Sequence, residues 1–166
     1  MMSPGSRSRS TPAQTIGRPR GFDRDTALLA AMRTFWAQGY EGTSIQDLVD
    51  ATGVNKPSLY STFGCKEEIF RQAVELYDRL EGRVTSQSLS AATTAREAVA
   101  AMLRSNARAY VAEDGPRGCM IVLSSLLGAP ENRNVRAFLS DNRLSGERAL
   151  RDRLARGVAE GDLSPA

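Results

Sequence analysis

The sequence contains no histidine. That removes the commonest general base and metal ligand, and no tight group of cysteines or carboxylates replaces it. No glycine-rich phosphate loop follows a strand pattern, no nucleophile elbow is present and no segment repeats. The sequence therefore argues against catalysis, a bound cofactor and a metal centre. Two cysteines, Cys65 and Cys119, lie too far apart in the chain to form a disulfide framework, which fits a reducing compartment. No apolar run approaches the roughly 18 to 20 residues needed to span a bilayer. The N-terminal arginines are not followed by the hydrophobic stretch of a secretory signal. A cytoplasmic protein without membrane contact is expected. The net charge of +3 is too small to argue for nucleic acid by itself, so where the cations lie matters more than their sum. What remains is an ordinary globular composition, 41% hydrophobic and 25% charged, over 166 residues. That length suits one compact unit, or a small domain packed on a second layer.

The informative stretch is Thr43 to Phe63, TSIQDLVDATGVNKPSLYSTF. Thr43 can cap a first helix, with Gln46 completing a capping box and Ile45, Leu48 and Val49 supplying one apolar face. Gly53 breaks this helix at a position suited to positive φ, and Val54 plugs the angle that follows. Asn55 caps a second helix, and Pro57 suits its first turn. Leu59 and Phe63, four apart, form the buried stripe, which leaves Lys56, Ser58, Ser61 and Thr62 facing outward. Short hydroxyl side chains let a helix axis approach base edges in the major groove, and a cation holds phosphate. An ordinary helical hairpin with a polar outer face would share this local pattern.

The flanks separate the two readings. FDRDTALLAAMRTFWAQGYEGTSIQDLVDATGVNKPSLYSTFGCKEEIFRQAV resembles the DNA-binding domain of TetR-family transcriptional regulators, over about Arg18 to Tyr77. The marks are GRPR, an Ala-Ala pair before an aromatic, GY-x-x-TS ahead of the second helix, GV at the turn, SLYSTF, and Lys66 with Glu67 after it. The resemblance implies phosphate contacts from Tyr60 and Lys66. A lysine opposing the dipole at a helix start points the same way for Lys66. The expected DNA-contact set is Arg18, Arg20, Thr43, Ser44, Lys56, Pro57, Ser58, Tyr60, Ser61, Thr62 and Lys66. Cys65 departs from the family pattern, which has a polar cap at that position.

Taken in order, residues 1–17 read as a disordered basic arm, rich in Ser, Pro and Arg without apolar periodicity. Gly17-Arg18-Pro19-Arg20 suits a minor groove, or equally a solvated tail that adds nonspecific attraction. Residues 18–85 read as the helix-turn-helix domain. Its first helix is capped by Asp23 or Asp25, runs to about Gln38 and buries Leu28, Met32, Phe35 and Trp36; Gly39 ends it and Tyr40 packs back. Its fourth helix runs from Lys66 to about Arg83. The Ser- and Thr-rich stretch Gly82 to Thr93 reads as a joint.

Residues 90–166 read as a helical ligand-binding and dimerisation domain. Thr94 and Glu97 form a capping box opening a helix to about Ala112. Cys119 to Leu127 is apolar almost all round, which composition alone allows as a strand and the helical context makes a short, enveloped central helix. A long helix from about Asn134 to Glu160 turns Val135, Phe138, Leu139, Leu150, Leu154 and Val158 inward and many arginines outward. TetR-like regulators carry further long helices beyond this point that form most of the dimer interface, so an incomplete domain is expected. The fold class expected is all-α. The function expected is a repressor that binds double-stranded DNA at a palindromic operator. It would do so as a homodimer once the C-terminal helices are supplied. A small hydrophobic effector would contact Asn106, Tyr110 and Ser124. The alternative is a truncated interaction module that titrates a partner without binding an operator.

Overall fold

The computed structural model describes residues 22–113, 115–126 and 129–164, so Arg18, Arg20 and the basic arm lie outside the described residues. Asp23 opens helix α1 (Arg24–Gly42): its carboxylate accepts from the Asp25 backbone N–H at 3.0 Å and from the Thr26 hydroxyl at 2.6 Å. α1 does not stop near Gln38 as expected. It bends at Gly39 (φ 72°, ψ 172°) and continues to Gly42. Three helices follow, α2 (Ile45–Thr52), α3 (Lys56–Phe63) and α4 (Lys66–Tyr77). α1 packs against both α2 and α4. Between them Phe35, Leu48, Leu59, Ile69 and Phe70 are fully buried, and the Phe70 ring stands edge-on to both Phe35 and Tyr40, each at 5.0 Å. Such aromatic contacts add to the burial that holds three short helices in place, none long enough to be stable alone.

Beyond Tyr77 the chain makes a π turn, Asp78–Gly82, then α5 (Arg83–Ala91), α6 (Ala95–Ala109), α7 (Met120–Leu126) and α8 (Arg133–Ala159). The expected joint at Gly82 to Thr93 is therefore mostly helix. Ser86, Ser88 and Ser90 each donate their hydroxyl to a carbonyl one turn back, at 2.7 to 3.0 Å, and α5 packs along α6 with Leu89 buried. Tertiary packing has overridden the low helix propensity of serine.

The Thr94–Glu97 capping box is present, but α6 ends at Ala109, three residues short of expectation. α7 is not enveloped. Met120 and Ser124 are buried against α1 and α8, whereas Val122, Leu123 and Leu126 are exposed, Leu126 at 71%.

In α8 the inward stripe holds for Val135 and Leu139 and then drifts. Leu154 and Val158 are exposed, and Arg153 and Gly157 are buried instead. The Arg153 guanidinium donates to the carbonyls of Ala92 and Thr93, at 3.3 and 3.1 Å, just past the C-terminus of α5. At Gly157 the helices come so close that an added Cβ would lie 2.6 Å from Ala95 Cβ.

Candidate nucleic-acid interface and adjoining cavity

The turn between α2 and α3 is built from local chemistry. Ser44, not Thr43, caps α2: its hydroxyl accepts from the Asp47 N–H at 3.1 Å, and its own N–H donates to the Asp47 carboxylate at 2.7 Å. Hydrogen bonding from Ser44, its backbone N–H most strongly, holds the Asp47 carboxyl below its usual range. The expected Thr43–Gln46 box fails because Thr43 is 1% exposed and donates its hydroxyl to the Gly39 carbonyl at 2.7 Å, behind the bend in α1.

α2 ends on Gly53 in the left-handed conformation (φ 67°, ψ 10°), and the Gly53 N–H returns to the Val49 carbonyl at 2.9 Å. Val54 is buried in the angle, and Asn55 caps α3 by accepting from the Ser58 N–H at 2.9 Å. The far end of α3 is held by α4: Gln72 donates to the Phe63 carbonyl at 2.9 Å. With Leu59 and Phe63 anchored in the core, the outward face of α3 has no freedom to rotate.

That face carries Lys56, Pro57, Tyr60, Ser61 and Thr62, all exposed, with Ser58 half-buried. The Lys56 ammonium lies 5.7 Å from the Tyr60 ring centre, and Ser61 donates its hydroxyl to the Ser58 carbonyl at 3.1 Å, leaving its oxygen lone pairs outward. Ser44 is exposed at the start of α2. Thr43, expected among the DNA contacts, is in the core and does not reach this surface.

Lys66 opens α4 and sits 4.3 Å over the Tyr40 ring. Burial holds its ammonium below the ordinary lysine value, with Glu41 and Asp47 pulling the other way. Cys65, the departing cap, is exposed, and its N–H donates to the Glu68 carboxylate at 2.7 Å, which closes the start of α4 as one half of a capping box. That bond is the main cause of a lowered Glu68 carboxyl pKa.

A cavity of about 530 Å³ lies between the π turn, α5, α6, α7 and α8. Trp36 and Tyr77, stacked edge-to-face at 4.9 Å in the core of the helix-turn-helix unit, also form part of its wall. Sequence reasoning assigned Trp36 to the core alone, and nothing local distinguishes an aromatic that does both.

Asn106 and Tyr110, the expected effector contacts, line the cavity. Asn106 accepts from the Thr85 hydroxyl at 2.8 Å. Burial raises the Tyr110 hydroxyl pKa, and Cys119, also in the wall, adds to that shift. Ser124 is a correction: it is 4% exposed, does not line this cavity, and its hydroxyl has no protein partner among the described residues. A second link between the two halves escaped the sequence. Glu41, on the last turn of α1, accepts from the Ala129 N–H at 2.8 Å, and both its oxygens accept from the Asn132 amide, at 2.8 and 2.9 Å.

A capped helix, a left-handed glycine and a second helix with an anchored polar face define a helix-turn-helix regulator of transcription that binds DNA. Residues 27–73 match the family described as bacterial regulatory proteins, tetR family. The HTH-type transcriptional repressor ComR of Escherichia coli (strain K12) is 35% identical over 150 residues, spanning 90% of this chain and 71% of ComR. The HTH-type transcriptional repressor BdcR of the same strain is 30% identical over 119 residues, 72% of this chain and 60% of BdcR. A cysteine mutant of the TetR family transcriptional regulator CifR, solved in complex with 26-bp double-strand operator DNA, superposes with a TM-score of 0.85 at 46% identity. The match covers 89% of this chain and 77% of that one. The chain belongs to the tetR family.

Among the described residues no helix is long and apolar enough to cross a membrane, and no group of three or more His, Cys, Asp or Glu side chains is placed to hold a metal ion.

Proposed function

We propose that this chain is a cytoplasmic, effector-responsive repressor. Two copies would place their α3 helices in successive major grooves of a palindromic operator, about 34 to 36 Å apart. The observation that carries the reading is the outward face of α3, where Lys56, Tyr60, Ser61 and Thr62 are exposed on a helix fixed by its buried partners Leu59 and Phe63. Ser44 at the start of α2 and Lys66 at the start of α4 flank that face and meet phosphates. The family membership and the operator complex of CifR support the same assignment.

The effector is a small, largely hydrophobic molecule. A cavity of about 530 Å³ falls within the size range of ligand sites, and Asn106 and Tyr110 give it the few polar groups that orient a guest. Because Trp36 and Tyr77 belong to both the cavity wall and the helix-turn-helix core, a guest that prefers one packing of these rings shifts the population of DNA-competent molecules.

The test is the mass of the protein in solution, alone and with operator-length DNA. The reading expects two chains per duplex and dissociation on adding an effector identified from a hydrophobic panel by thermal shift. A chain that associates with other proteins but never with DNA would favour an interaction module that titrates a partner. Hits whose stabilising effect is unchanged by Tyr110→Ala and Asn106→Ala would remove the cavity from the account.

A further inference from the structure

The arginines on the outward face of α8 are not evenly spread. Arg133, Arg136, Ser140 and Arg143 follow a 3, 4, 3 spacing and so share one stripe of the helix. Together with Ala137 and Ser125 of α7 they border a second cavity of about 360 Å³. The pairing of charge differs sharply along the helix. Farther on, Arg151 and Arg156 each meet a carboxylate one turn away, Glu147 at 2.8 Å and Glu160 at 3.3 Å. None of Arg133, Arg136 and Arg143 makes such a pair among the described residues, and no carboxylate lines this cavity.

One of the three is also held in place. Arg143 donates through Nη1 to the Ser125 hydroxyl, which donates onward to the Ile121 carbonyl at 2.6 Å. Every charged side chain in the lining is a guanidinium, and both hydroxyls belong to the same wall.

We propose that this cavity binds a phosphate dianion, free or as the ester of a small molecule, between Arg133, Arg136 and Arg143 with the Ser140 hydroxyl as a further donor. Guanidinium forks match phosphate oxygens two at a time, and an anion removes the mutual repulsion of three cations on one stripe. The site is separate from the hydrophobic effector cavity, although Arg143 borders both. Arg133 and Arg136 border only the second, which makes them the discriminating residues.

The experiment is calorimetric titration of the full chain with glucose 6-phosphate, inorganic phosphate and glucose, at constant ionic strength maintained with chloride. Saturable binding of the first two and none of glucose is expected. The ratio of the two affinities distinguishes an ester site from a site for the free ion. Arg136→Gln and Ser140→Ala should each weaken binding, at least about tenfold for the arginine, as loss of one charge-assisted contact does. Arg151→Gln and Lys66→Ala should leave it unchanged. Absence of saturable binding would overturn the proposal. So would binding that survives Arg136→Gln, or that is lost with Lys66→Ala and therefore belongs to the DNA-facing surface.

Discussion

Lys66 sits where two effects oppose its charge. It occupies the first turn of α4, against the helix dipole, and it is half-buried over the Tyr40 ring. Its ammonium is held below its ordinary value of 10.5, chiefly by burial. A DNA phosphate beside it, as proposed, would raise that value in the complex. A group with a higher pKa in the complex contributes fully to binding below its free-state pKa. It loses that contribution as pH rises through the bound-state value. Operator affinity is therefore expected to fall as pH rises from neutral toward the lysine range, and more steeply for the wild type than for Lys66→Met. Fluorescence anisotropy across pH measures the difference, and parallel curves would show that no phosphate meets Lys66. Lys56 is exposed, so Lys56→Ala should weaken binding to all sequences alike and reduce the salt slope by about 1. The placement of Lys66 was legible because a cation at a helix start is a local anomaly. Tyr40 beneath it was not, since a contact 26 residues away leaves no local pattern. Thr43 and Ser44 show the same limit. Either hydroxyl can cap α2, and the choice falls to Ser44 only because the bend at Gly39 offers its carbonyl to Thr43.

Among the elements, the α2–α3 pair was readable to within a residue because caps, turn glycine and buried stripe all act over short range. Gly53 is the hinge of that pair. A Cβ at Gly53 meets nothing within 4 Å, so Gly53→Ala should cost only the left-handed backbone strain, about 1 kcal/mol. Gly146 in mid-α8 is equally open but helical, so Gly146→Ala should gain roughly 0.5 to 1 kcal/mol. Urea unfolding of the two variants checks the contrast, and effects of the same sign would mean that the α2–α3 turn is not as described. α5 and the second half of α8 were read less well, for tertiary reasons. The serines of α5 look like a linker until packing on α6 supplies the helix with a partner. In α8, Arg153 is drawn inward by the carbonyls of Ala92 and Thr93, and Gly157 by close approach to Ala95, which displaces the apolar stripe that sequence spacing had put on Leu154 and Val158.

Across the whole molecule, the all-helical class and the location of the DNA-facing unit followed from pattern, whereas the connection between the halves did not. That connection is physical: α7 packs on α1, Trp36 donates to the Gly118 carbonyl at 3.0 Å, and Glu41 clamps the loop before α8. The hydrogen bonds among these contacts join residues more than 80 positions apart. Under the proposed function they would give a guest in the cavity a route to the spacing of two α3 helices, provided the guest binds the two arrangements with different affinity. The account rests most heavily on α3 as the helix that reads bases. Binding selection from randomised double-stranded DNA, performed on the wild type, Ser58→Ala and Ser61→Ala, addresses it directly. The wild type is expected to enrich palindromic sites. Each serine variant should change the preferred base at one symmetry-related position per half-site, against a discrimination of about 1 to 3 kcal/mol for a base contact. Identical preferences in all three proteins, or no enrichment at all, would contradict the assignment of α3.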